Sequence, residues 1–219
     1  MRNKIITVLL IICAFVFLSD ASHAGPSFNE IYKKALSINS GMKDCQADLN
    51  IKIQAKWSFV PIPINLQGKY YYKAPDKFKV DLKKTPSFLK KYPQVFSWVL
   101  PEVKEFNTKI AGEEDTGGNA CYILELIPKQ PMGDLKSHNI WIDKKEFIMR
   151  KQVFLYNTEA EIIINQNYIQ KDGYWVFNDI EASFAFPKIN LTATSKANYT
   201  NYKFNQNLPD SLFEEKDKK

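Results

Sequence analysis

His138, with Asp134 and Ser137 beside it, places the three side-chain types of a hydrolytic triad in one short stretch. Proximity along a loop does not make a triad, which is defined by geometry in space. Past residue 24 there is no second histidine with which to build a metal site. G-x-S-x-G, P-loop and dinucleotide-binding glycine patterns are missing as well. His138 therefore reads as a surface histidine. The acidic pairs Glu113-Glu114 and Glu159/Glu161 read as solvated charges of a turn and a strand edge, since nothing fixes them at glycosidase geometry. Cys45 and Cys121 are the candidates for a disulfide, whose long loop would stabilise the fold by a few kcal/mol. Strand parity weighs against it: Cys45 shares a face with Leu49 and Ile51, whereas Cys121 lies opposite Tyr122, Leu124 and Leu126. The expectation is a protein that is not an enzyme and uses neither cofactor nor metal.

More telling is Lys69-Tyr-Tyr-Tyr-Lys-Ala-Pro-Asp-Lys-Phe-Lys-Val-Asp-Leu82, in which rings and lysines alternate on both sides of a turn signal. Two strands follow from it. Tyr70, Tyr72, Phe78, Val80 and Leu82 point to an apolar side, and Lys69, Lys73, Lys77 and Lys79 point to water. Upstream, Leu49, Ile51, Ile53 and Trp57 share the apolar face of a half-buried strand, and Pro61-Ile-Pro63 suggests the turn to the next, with Leu66. Later strands are expected near 103–112, 120–128, 139–143, 147–155, 161–170, 174–186 and 189–204, with Glu113–Asn119 as a hairpin connection. Ser27-Phe-Asn-Glu30 is a capping box opening a helix over 28–40, with Gly41 as its C-cap. Residues 83–102 carry Phe88, Leu89, Phe96, Trp98 and Leu100 among three prolines and read as a short apolar lid.

At the N-terminus, Arg2 and Lys4 precede an apolar run to Leu18 and Ser22-His23-Ala24, the pattern of a signal peptide cleaved after Ala24. The run is shorter than the roughly 20 residues a membrane span needs. The expected divisions are 1–24 signal peptide, 25–213 one domain, and 214–219 a disordered charged tail. The chain's net charge of +6 is spread along it rather than gathered in a basic block, which argues against nucleic-acid binding. The whole reads as mainly β (α+β): a long antiparallel sheet whose single helix and lid cover its apolar face only in part, so that a cavity is expected.

The ordered set Gly68-x-x-Tyr-x-Lys-x-Pro-x-x-Phe78, Gly117-x-x-x-Cys-Tyr-x-Leu-x-Leu-x-Pro128, Ile140-Trp-Ile-Asp143 with Met149-Arg150, Asn167-Tyr168, Asp172-Gly-Tyr-Trp175 and Asn207-Leu-Pro-Asp-Ser-Leu-Phe213 resembles the LolA/LolB-like family of periplasmic lipoprotein carriers and outer-membrane lipoprotein-sorting proteins. The resemblance implies a curved half-barrel holding acyl chains of a lipid or lipoprotein against its concave face. Leu49, Ile51, Ile53, Trp57, Leu66, Tyr70, Tyr72, Phe78, Val80, Leu82, Tyr122, Leu124 and Leu126 would line that site. The cleavable signal peptide leads to the periplasm and to no integral membrane protein after processing, and a monomer that meets inner- or outer-membrane transport proteins is expected. A protein-binding envelope or sensor module on the same fold is the alternative. Ala74 stands where the best-known carriers have an arginine before the motif's proline, a departure that weakens the shuttling role more than the fold.

Overall fold

The computed structural model describes residues 25–83 and 92–214. The signal-peptide segment, Phe88 and Leu89 of the expected lid, and residues 215–219 of the tail lie outside them. One helix, α1 (Phe28–Ser37), precedes ten strands: β1 (Asp44–Trp57), β2 (Val60–Lys73), β3 (Lys77–Leu82), β4 (Phe106–Thr116), β5 (Asn119–Pro128), β6 (Leu135–Asp143), β7 (Met149–Tyr156), β8 (Glu161–Lys171), β9 (Tyr174–Phe186) and β10 (Leu191–Phe204). They form one antiparallel, curved, unclosed sheet in the order β3-β2-β1-β10-β9-β8-β7-β6-β5-β4, a half-barrel with β3 and β4 at its edges.

The capping box forms as expected: Ser27 Oγ accepts from the Glu30 amide, and the Glu30 carboxylate accepts from the Ser27 amide at 2.7 Å. The helix stops three residues early, with Ile38 rather than Gly41 as its C-cap. Two hairpins also differ from expectation. The β1–β2 turn is Ser58-Phe59, and the strand runs straight through Pro61 and Pro63, which pair with Lys56 and Gln54. Prolines are tolerated there because β3 reaches only Gly68–Lys73, leaving the earlier half of β2 as an open edge among the described residues. The β4–β5 turn is only Gly117-Gly118, both at positive φ, so Glu113–Thr116 extend β4. An edge strand carries such charges at little cost. Gly68 is fixed by β3: a Cβ there would lie 2.0 Å from the Asp81 carbonyl oxygen.

Two apolar clusters form a continuous inner layer, because Trp98 and Leu135 pack against both. The larger gathers Leu49, Ile51, Ile53, Tyr70, Phe177 and Tyr199 beneath the segment Tyr92–Phe96. The smaller sets Ile31 and Tyr32 of α1 on Leu124, Leu126, Ile140, Ile142 and Met149. On the opposite face Cys121, Trp141 and Val153 make a small outer cluster. Both cysteines are free and buried, Cys45 in the inner layer and Cys121 in the outer, so the sheet itself separates them. Burial, helped by Asp143 nearby, pushes the Cys121 thiol up to about 11.

The lysines expected in water do more than solvate. Lys73 and Lys77 both pair with Asp210 (3.1 and 2.8 Å), Lys73 also donates to the Leu208 carbonyl, and Lys79 donates to that of Leu212. The buried Asp44 carboxylate accepts from the amides of Gln206 and Leu208. The segment after β10 is thereby strapped to β1, β2 and β3.

Candidate lipid-binding cavity

A cavity of about 810 Å³ opens between α1, the β2–β3 turn and the stretch Trp98–Val103. That volume falls in the range of about 300–1,000 Å³ usual for small-molecule sites. Its walls are apolar and aromatic: Tyr32, Ala35, Leu36 and Ile38 from α1 and its end, Trp98 to Leu100 from the lid, and Phe147 to Met149 between β6 and β7. Tyr72, Tyr168 and Trp175 complete them, while Asn39, Asp76 and Glu102 supply polar groups.

Helical geometry explains the α1 wall. Ile31 and Tyr32 face the sheet and are buried, whereas Leu36, one turn on from Tyr32, has no strand beneath it and remains 58 % exposed at the cavity. The opposite wall is the lid. Trp98 lies 5.1 Å from the Tyr70 ring, 5.2 Å from Tyr72 and 5.0 Å from Phe177, in tilted contacts. Hydrogen bonds add to these ring contacts: the Tyr32 hydroxyl donates to the Pro101 carbonyl, and the Tyr72 and Trp98 side chains share one. Gln166 Nε2 donates to Ser97 O and Tyr199 Oη to Phe96 O, both at 3.4 Å, beyond the common range for such bonds. The Tyr70 hydroxyl and Gln166 Oε1 are buried with no hydrogen-bond partner among the described residues. Lid and floor therefore meet through ring packing and a few hydrogen bonds.

Of the residues expected at the site, Tyr72, Trp98 and Leu100 line the cavity. Leu49, Ile51, Ile53, Leu66, Tyr70 and Phe96 are buried in the inner layer, with Phe78, Val80 and Leu82 half-buried against it. Leu124 and Leu126 lie under α1, and Tyr122 packs beside them. Trp57 shares the inner face by parity but sits past the part that anything covers, and it is 63 % exposed. Leu36, Ile38, Phe147, Tyr168 and Trp175 were missed; for Leu36 the signal was an apolar residue off the stripe of Phe28, Ile31, Ala35 and Ile38.

The triad residues do not assemble. Strand alternation turns Ser137 and His138 to opposite faces, and Asp134 accepts from Thr158 Oγ1 at 2.9 Å. His138 is buried rather than at the surface, stacked on Phe154 with ring centroids 3.9 Å apart and its Nε2 2.9 Å from Gln152 Oε1. Burial lowers its pKa to about 4, opposed only in part by Gln152, so the ring is neutral near pH 7. Asp143 closes the β6–β7 hairpin: its carboxylate accepts from the amides of Lys145 and Glu146 and, twice at 3.0 Å, from Arg150.

Solved structures share this architecture. A domain assigned as an outer membrane lipoprotein-sorting protein from Vibrio parahaemolyticus matches with a TM-score of 0.61 at 15% identity, covering 84% of this chain and 94% of that one. A DUF1329 family protein from Desulfovibrio piger gives 0.61 at 15%, covering 87% and 98%. A LolA superfamily protein from Nitrosomonas europaea gives 0.53 at 14%, covering 87% and 99%. A family model described as "-like: Uncharacterized protein" matches residues 96–217, more than half of the chain. The chain belongs to that family, and its fold is LolA-like. No curated protein matches the sequence significantly. Within the LolA-like half-barrel the matched residues include Gly117-Gly118, Asp143 and Arg150, which shape the β4–β5 and β6–β7 hairpins.

Proposed function

We propose that the protein is a periplasmic carrier that holds the acyl chains of a lipid or lipoprotein in the cavity between α1 and the lid, for transport toward the outer membrane. The observation that carries this reading is the 810 Å³ cavity with aromatic and aliphatic walls, open at Leu36 and continuous with the inner layer at Tyr72 and Trp98. Acyl binding needs apolar area rather than directed chemistry, at about 25 cal/mol per Å² removed from water. The fold similarity to lipoprotein-sorting and LolA superfamily domains supports the same cargo class.

Cargo entry has a physical route. A chain end entering past Leu36 meets Trp98, and swinging that ring outward exchanges ring contacts for methylene contacts of similar area. Displacement of Phe96–Trp98 gives up two long hydrogen bonds and the one between Trp98 and Tyr72.

The test is native mass spectrometry of the purified protein followed by organic extraction, together with titration of a fluorescent fatty-acyl probe. One lipid or acylated peptide per chain is expected, with probe binding lost in Leu36→Asp, which charges the entrance at an exposed position. A folded protein that is empty and takes up no probe, or a Leu36→Asp variant that binds as well as wild type, would sink the carrier reading.

A further inference from the structure

At the opposite end of β2 from the cavity, the structure exposes an apolar surface that cargo binding does not use. Phe59 at the β1–β2 turn is 91 % exposed, and Trp57, Val60 and Ile189 are each more than half exposed. They are neighbours: Trp57 pairs with both Val60 and Leu191, and the Ser58 amide donates to the Asn190 carbonyl at 2.8 Å, tying the β1–β2 turn to the β9–β10 turn. The distance along β2 from this rim to the β2–β3 turn at the cavity is about 40 Å.

Folding does not call for these residues. A two-residue hairpin turn favours Asn-Gly or a similar pair able to take positive φ. Here the turn is Ser58-Phe59, Ser58 stands at φ 55, and the phenylalanine ring touches almost nothing of its own chain. The composition around it selects the partner. From Lys56 to Gly68 and from Phe186 to Lys196 there is no carboxylate, while Lys56 and Lys188 flank the rings. Carboxylates begin again with Glu159 in the β7–β8 turn and Glu161 of β8, which pairs with Ala185 of β9. The neighbouring open edge of β2 is a poor template for an added strand, because Pro61 and Pro63 have no N–H to donate. Protruding aromatic and aliphatic side chains with adjacent lysines match the interfacial zone of a bilayer, where rings enter the head-group region and lysines meet anionic lipids.

We propose that the rim formed by Trp57, Phe59, Val60 and Ile189, with Lys56 and Lys188, is a docking surface for an anionic lipid bilayer. The protein then rests on a membrane by this rim while the cavity stays at the far end, free to meet a donor or acceptor.

Flotation with vesicles decides it, using phosphatidylcholine alone and phosphatidylcholine with about one third phosphatidylglycerol. Wild-type protein is expected to float with the anionic vesicles. Phe59→Ser combined with Ile189→Ser should weaken partitioning about tenfold or more, with an unchanged circular dichroism spectrum because both side chains are exposed. Lys56→Gln with Lys188→Gln should remove the preference for anionic lipid. Wild type that stays with the dense fraction, or a serine variant that floats equally well, would overturn the proposal. So would a dimer in sedimentation velocity that Phe59→Ser dissolves, which would assign the rim to a second copy. The fatty-acyl titration separates this idea from the carrier reading: the serine variant should keep probe binding, and Leu36→Asp should keep flotation.

Discussion

A neutral imidazole pressed against Phe154 makes His138 a pH-dependent element of stability rather than of reactivity. Its folded pKa of about 4 lies below the ordinary 6.5, so the unfolded chain binds the extra proton first. Stability from this group is complete above pH 6.5 and is lost as pH falls toward 4, amounting to about 2 kcal/mol between pH 7 and pH 5. Urea unfolding at those two pH values should show that loss, and His138→Phe should flatten the slope; equal slopes would mean that the ring is hydrated. Asp143 contributes in the same direction lower on the scale. Burial opposes its ionisation, but the Glu146 and Lys145 amides and Arg150 outweigh burial and hold the carboxyl below its usual range. Its contribution is present above the unfolded carboxylate value and disappears as pH drops through the folded one. Arg150→Met should therefore raise the acid midpoint of unfolding. At this scale the sequence was a poor guide to His138: one residue type with no partner in view says nothing about Phe154 and Gln152, which arrive from the neighbouring strand. Asp143 and Arg150 stood out as part of a motif, and the hairpin they close gives that motif a reason.

Among the elements, strands with strict alternation were legible, since a period of two with one apolar face has a single reading. β9 matches its expected span, Tyr174–Phe186, and β8 runs one residue longer than expected. β6 starts at Leu135 rather than Asn139 although it is an interior strand; two other misplaced boundaries fall where a neighbour is missing: the open edge of β2 accepts Pro61 and Pro63, and the edge strand β4 accepts Glu113 and Glu114. Neither effect belongs to the segment itself, so local sequence cannot carry it. The lid was legible as an apolar insertion, but its position over Tyr70, Tyr72 and Phe177 depends on contacts with four other elements. Trp98→Ala should widen the cavity and cost about 3 kcal/mol or more of stability, with tighter or faster uptake of a long-chain probe than wild type; slower uptake would show that Trp98 shapes the site instead of blocking it. The strapped segment after β10 makes a separate prediction. Asp44→Ala leaves the Gln206 and Leu208 amides without their acceptor, a loss of about 2 kcal/mol. Limited proteolysis should then cut near residues 205–212 well before the sheet.

For the whole molecule, the half-barrel goes with a shortage of cover: among the described residues, ten strands present an inner face that one ten-residue helix and a short lid roof only in part. That imbalance could be read from the sequence, because apolar strand faces outnumbered helical ones. The place of the opening could not, since it depends on where α1 ends and how far β3 reaches. No helix among the described residues is long and apolar enough to cross a membrane. The sheet order has an effect on assembly. The first strand lies between β2 and the last strand, pairing with β10 over its whole length from Cys45–Phe204 to Trp57–Leu191. Every other strand contact in the sheet is between sequence neighbours. The chain can therefore zip from β4 through to β10 and from β1 to β3 as two local ribbons, but joining them means closing a loop of well over a hundred residues. Such non-local closure is the slow kind of folding event. A chain halted before Leu191 would hold two unjoined ribbons with bare edges, the state in which sheets of this type aggregate.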